Sequence, residues 1–201
     1  MRTITREYNI FPMHELSVDA QKTAYYKWIE NRDYSFSSDN RNTMEEFAKL
    51  FNVDIRNWSY DTCTYHYSFF TSLSGELEEL SGERLARYIT NNHWHRLFIS
   101  KIYWGKTSVQ CKTKNRLSRI FYNTDCTLTG YCADCAILQP IYDFLKHPAK
   151  NITYFKLMDK CLDSFFRFCR DDIEYTQNED SFKEESHANN WEYLQDGQLF
   201  N

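Results

Sequence analysis

His93-x-His95, followed at once by Arg96, is the spacing in this chain that most directly suggests chemistry. Two imidazoles that exchange protons near neutral pH, beside a permanent cation, meet the needs of general acid and base catalysis on an RNA phosphodiester. The same residues flanking Trp94 equally describe a half-exposed helix end. Cys126, Cys132 and Cys135, with His147 or Cys161, form a second constellation, because Cys132-x-x-Cys135 has the ligand spacing of a thiolate metal site. A structural zinc ribbon needs a second closely spaced pair, which the sequence lacks. The expectation is reduced thiols, no metal and no cofactor. A thioredoxin-like use of Cys132 and Cys135 would require a surrounding βαβ pattern, and none is found. No Gly-rich phosphate loop, nucleophile elbow or His-Glu-x-x-His occurs, so no catalytic residue is assigned.

Binding leaves a stronger mark. From Arg84 to Thr124 there is no Asp or Glu, but there are nine basic residues. A segment of +9 is thus embedded in a chain of net charge −4, and Tyr88, Trp94, Phe98, Tyr103, Trp104, Phe121 and Tyr122 lie among its cations. Cations interleaved with aromatic rings grip phosphates and stack on bases, or dock on an acidic protein face. The expected contact residues are Arg84, Arg87, Trp94, Arg96, Lys101, Lys106, Lys112, Lys114, Arg116 and Arg119. The plain alternative is a helix and hairpin whose counter-charges come from elsewhere in the fold. From Asp159 to Asn201, eleven acids stand against four basic residues. Helix-spaced carboxylates can imitate duplex phosphates, though an ordinary solvated helix face gives the same pattern.

The elements that must hold these residues follow from periodicity. Residues 3–11 alternate as a strand, and Ser17 is placed to cap a helix to about Glu30 with Ala20, Ala24 and Trp28 inward. Tyr34 to Asn42 reads as a loop, with Thr43 and Glu46 as a capping box for a short helix burying Phe47, Leu50 and Phe51. Val53–Tyr60 and Cys63–Thr71 read as paired strands, His66 being an ordinary sheet residue. Ser81 caps a helix to about Asn92. Another runs from Tyr131 to Lys146, kinked or broken at Pro140. Thr153 caps the longest, to about Tyr175, with Phe165 and Phe166 at the core. Ser181 and Glu184 make a capping box, and Asp196-Gly197 turns a closing hairpin. The predicted fold is α+β: a predominantly helical body with a small antiparallel β-sheet that includes both termini. It is read as one compact domain over residues 1–201, with 1–80 and 81–201 as candidate sub-lobes.

With 42% hydrophobic and 17% aromatic residues, five Gly and three Pro, the composition is that of a chain with a real core. No apolar run reaches membrane-spanning length. The start, MRTITREYNI, lacks the apolar stretch of a secretory signal, and seven cysteines are an odd number. Together these predict a cytoplasmic protein with reduced thiols and no membrane partner.

Glu15-Leu16-Ser17 followed by Ala20 and Ala24, just after Tyr8 and Ile10, resembles the opening of a broad group of small bacteriophage and prophage proteins. Leu128-Thr129-Gly130-Tyr131-Cys132-Ala133-Asp134, then Leu138, Pro140 and Phe144, is similar to a central block in many of them. Asn190-Trp191-Glu192-Tyr193 with Asp196-Gly197 resembles their tail, whereas Met13 stands where an aromatic is usual. The resemblance implies mobile-element origin. Since some small phage proteins with this start are anti-defence proteins, including inhibitors of CRISPR–Cas nucleases, it also implies a host defence nuclease or CRISPR ribonucleoprotein as partner. The rivals are a phage nucleic-acid-binding or regulatory protein without a defence target, and a small RNA-cleaving enzyme using His93 and His95.

Overall fold

A computed structural model describes residues 2, 4, 6–30, 32–73, 75–99, 122–123 and 126–200. In chain order they form β1 (Phe11–Pro12), a 3-10 turn (Met13–Glu15), α1 (Val18–Glu30), α2 (Ser37–Phe51), β2 (Val53–Tyr60) and β3 (Tyr65–Thr71). There follow α3 (Gly75–Glu78), α4 (Gly82–Leu97), α5 (Ala133–Lys146), α6 (Tyr154–Thr176), α7 (Glu179–Ala188) and β4 (Glu192–Tyr193). Helices dominate and the strands pair antiparallel, β1 with β4 and β2 with β3, so the fold is α+β. The sheet joining the two ends of the chain is there, with Phe11 opposite Tyr193, while β2–β3 makes a second sheet of its own. Among the described residues no helix is long and apolar enough to cross a membrane. The chain divides into two compact units, residues 1–35 with 171–201, and residues 36–170. The boundary near residue 80 lies inside the second.

The first unit is built on the small-residue face of α1. Ser17 caps it as expected, its Oγ accepting from Ala20 N–H at 3.3 Å. Ala20 and Ala24 are buried, and Phe182 of α7 packs against the Trp28 ring at 5.1 Å and the Tyr25 ring at 5.8 Å. Tyr193 is buried too, its hydroxyl 2.9 Å from Ser186 Oγ. Trp28 is half-buried at the edge of this cluster and carries the Arg32 guanidinium 4.3 Å above its ring. Of the expected strand over 3–11, only Phe11 is in a strand among the described residues (β1 is Phe11–Pro12), and Tyr8 and Ile10 are exposed; residues 3 and 5 lie outside the described residues. The cap of α7 is Asn178, whose side chain accepts from Ser181 N–H at 2.7 Å, so Ser181 is a donor inside the first turn rather than the cap.

In the second unit the first seventeen residues of α6 run through the core. Leu157, Met158, Cys161, Leu162, Phe165, Phe166 and Cys169 are all buried against α2, α4 and α5 residues such as Phe47, Phe51, Leu85, Ile89, Ile137 and Ile141. The β2–β3 hairpin lays its tyrosines on α6. Tyr67 stacks on Phe166 at 5.1 Å, and the Tyr65 and Tyr67 hydroxyls donate to Asp163 at 2.8 Å and Asp159 at 3.0 Å. Burial and the Asp159 carboxylate together push the Tyr67 hydroxyl's pKa well up.

Three expectations here are corrected. Residues 37–42 are the start of α2, not a loop, because Asn40, Thr43, Met44, Phe47 and Phe51 form one buried stripe. Thr43 is therefore mid-helix and no cap. Helix α4 continues to Leu97, with a local departure from helical geometry at His93 rather than an end at Asn92. Finally, α5 passes through Pro140 unbroken. Proline removes the N–H that would bond Ala136 C=O. The Ser164 hydroxyl of α6 donates to that carbonyl at 2.8 Å instead.

Candidate functional site

Helix α4 has two faces. Leu85, Ile89, His93 and Leu97 recur every four residues and are buried. Arg84, Arg87, Asn91 and His95 occupy the opposite stripe and are exposed. Among the described residues neither Arg84 nor Arg87 makes an ion pair. The α4 end of the acid-free segment thus presents a cationic face to solvent.

His93 and His95 fall on different faces of α4, the first buried and the second exposed. The His93 ring packs on Phe51 at 4.7 Å, with Tyr88 edge-on at 6.4 Å. Burial, with a smaller contribution from His95, lowers its pKa, so His93 is neutral in the folded chain. The unfolded chain then binds a proton more readily than the folded one as pH falls below the ordinary value of 6.5. Stability complete above that pH should be lost progressively toward the lower, folded-state pKa. Urea unfolding at about pH 7.5 and about pH 5.5 should show this loss, and His93→Gln should shrink it. An identical pH slope in wild type and variant would remove His93 as its source.

Trp94 is half-buried and stacks on Phe98 at 4.3 Å, 16° from parallel. Phe98 meets Tyr122 at 5.3 Å, and Tyr122 meets Tyr142 of α5 at 5.0 Å. This row of rings is a structural seam, to which the half-buried Trp94 contributes one face. Phe98 and Tyr122 also form an antiparallel bridge, and Asn123 N–H donates to Leu97 C=O at 2.8 Å. Phe98 and Tyr122 therefore stand side by side at the end of α4. Arg96 is exposed, yet it is engaged: its guanidinium donates to Thr127 C=O at 3.2 Å and its own C=O accepts from the Thr127 hydroxyl at 2.8 Å. Lys101, Lys106, Lys112, Lys114, Arg116 and Arg119 lie outside the described residues.

The loop that receives Arg96 is organised by a group that the sequence reading left unassigned. Asp134, near the start of α5, is fully buried. Its Oδ2 accepts from the N–H groups of Leu128 (2.8 Å), Thr129 (2.7 Å) and Gly130 (3.1 Å). Its Oδ1 accepts from the hydroxyls of Thr129 at 2.8 Å and Thr43 at 3.0 Å. A desolvated carboxylate with five donors at a helix N-terminus satisfies its charge without a counter-ion. An aspartate just inside a helix, four residues after a glycine, is the signal that could have found it.

Cys126 and Cys135 bring their sulfurs to 3.8 Å, whereas Cys161 is in the core. Among the described residues no three His, Cys, Asp or Glu side chains are placed to hold a metal ion. In the acidic third, Asp159 and Asp163 accept the tyrosine hydroxyls of the hairpin, Asp172 accepts that of Tyr34, and Glu185 holds Arg32. Those four carboxylates are engaged within their own units. Comparison with family models, with curated proteins and with solved structures gives no match for this chain.

Proposed function

We propose that this chain is a non-enzymatic inhibitor of the kind phages carry, acting in the host cytoplasm on a defence nuclease or CRISPR ribonucleoprotein and blocking its access to nucleic acid. The observation that supports this most is the outward stripe of Arg84 and Arg87 on α4, leading into a stretch without carboxylates whose ends are fixed together at Phe98 and Tyr122. Such a face suits the phosphates of a guide or target strand. Among the described residues the two histidines of this helix are not presented together, His93 being buried and His95 exposed.

The test is charge reversal. An Arg84→Glu, Arg87→Glu variant is expected to keep its circular dichroism and melting temperature, because both side chains are exposed. Its binding to an assembled CRISPR nuclease ribonucleoprotein should weaken, and each lost phosphate contact should reduce the salt slope by about 0.7–0.9. Fluorescence anisotropy with bare RNA and bare DNA forms the second arm. Equal affinity for bare strands and ribonucleoprotein would favour a nucleic-acid-binding protein without a defence target. Unchanged binding by the variant would remove the α4 face from the interaction.

A further inference from the structure

Beyond that reading, and independent of it, we propose that Cys126 and Cys135 are a redox-active dithiol site that takes a small hydroperoxide and closes to a disulfide. The sulfurs stand 3.8 Å apart in the reduced chain. A disulfide needs about 2.05 Å, a closure that small χ rotations in a surface loop can supply. Several contacts already fix the distance between the two strands of chain. Gly130 N–H donates to Cys126 C=O at 3.0 Å, and the Asp134 carboxylate holds Leu128, Thr129 and Gly130 to the first turn of α5, where Cys135 lies. Cys126 itself has φ of +48°, so this contact is held by a defined local backbone.

The pair lines a cavity of about 100 Å³ together with Asn123, Thr127, Gln139 and Tyr142. That is room for a peroxide and hydrogen-bonding groups to orient it. The two thiols have different roles. Cys126 is half-buried, and burial and the hydrogen bond to the Cys135 sulfur push its pKa up to about 11, so it keeps its proton. Cys135 is exposed, so a peroxide reaches it first, and it is the sulfur that attacks. Its thiolate displaces alkoxide or hydroxide from the peroxide, the O–O bond breaks and a sulfenic acid forms. The Cys126 sulfur then attacks the Cys135 sulfur. The S–S bond forms, the S–O bond breaks, and the departing hydroxide takes the thiol proton to leave as water. Two thiols supply two electrons and the peroxide accepts both. Cys132 is exposed at the start of the helix and takes no part.

The experiment treats the full reduced chain with hydrogen peroxide, blocks residual thiols and maps the peptides. The expected product is a monomer lighter by two hydrogens, with Cys126 linked to Cys135 and fully restored by a thiol reductant. Cys132→Ser should give the same linked peptide in the same yield. Cys126→Ser should give none, and should instead leave a sulfenic acid on Cys135 that dimedone traps. A Cys132–Cys135 bridge, peroxide consumption ending in sulfinic acid at Cys135 of wild type, or a stoichiometric zinc ion shielding the thiols would each overturn the proposal. The wild-type map decides the matter even if a variant fails to fold.

Discussion

Asp134→Ala is expected to lower the stability of the second unit by about 4 kcal/mol, near the upper end for a single substitution. The side chain is fully buried and accepts from three backbone N–H groups and two hydroxyls. Alanine leaves the three N–H groups without their acceptor, while the Thr43 and Thr129 hydroxyls, 2.9 Å apart, can satisfy only one of their two protons between them. A buried unsatisfied donor costs about 1–3 kcal/mol before relaxation or entering water recovers part of it. Asp134→Asn keeps the volume but replaces one acceptor with an NH2 group facing other donors, and a loss of about 2 kcal/mol is expected. Urea unfolding followed by tryptophan fluorescence measures both. The damage should be felt at the proposed face as well, because Thr127 of the same loop binds Arg96 at both its carbonyl and its hydroxyl. A midpoint for Asp134→Ala within error of wild type would mean that the loop closes without the carboxylate.

The clamp also explains why part of this fold was legible in the sequence and part was not. Ser17, the β2–β3 hairpin and the apolar stripe of α6 are set by neighbours a few residues apart, and each is found where its pattern predicts. The start of α2 is different. Asn40 and Thr43 occupy core positions of that helix, yet they are polar, so the stripe they complete cannot be seen as hydrophobic. Thr43 is tolerated there because its hydroxyl meets Asp134, ninety-one residues along the chain. A Thr three residues before a Glu has the same appearance whether it caps a helix or answers a distant carboxylate. His93 hides in a similar way, a titratable residue on an otherwise apolar spacing. The exposed arginines of α4 were legible, since charge and spacing alone place them. The Leu128–Asp134 block singled out by resemblance acquires a physical meaning: its two ends are the donors and the acceptor of one buried cluster.

Gly197→Ala should be the most damaging change to the first unit, at about 3 kcal/mol. In the turn after β4, Gly197 has φ of +84°, and its N–H donates to Leu194 C=O at 2.9 Å. An L-residue held at such an angle is strained by about 1–2 kcal/mol. A Cβ here would also lie 2.1 Å from the Ala20 oxygen and 3.2 Å from the Ala24 nitrogen, the two ends of one helical hydrogen bond in α1. No side chain can swing away to make room, so α1 or the turn must move, an overpacking cost of about 1–3 kcal/mol. Gly130→Ala separates the two effects. Its φ is +92°, but nothing lies within 4 Å of the added carbon, so only the backbone strain remains. Gly75→Ala, with open space and no positive φ, should be close to neutral. Thermal melting of the three variants should therefore rank them, with Gly197→Ala lowest, Gly130→Ala intermediate and Gly75→Ala near wild type. If Gly197→Ala melts no lower than Gly130→Ala, the turn does not rest on α1, and the small residues at 20 and 24 need another reason for being small.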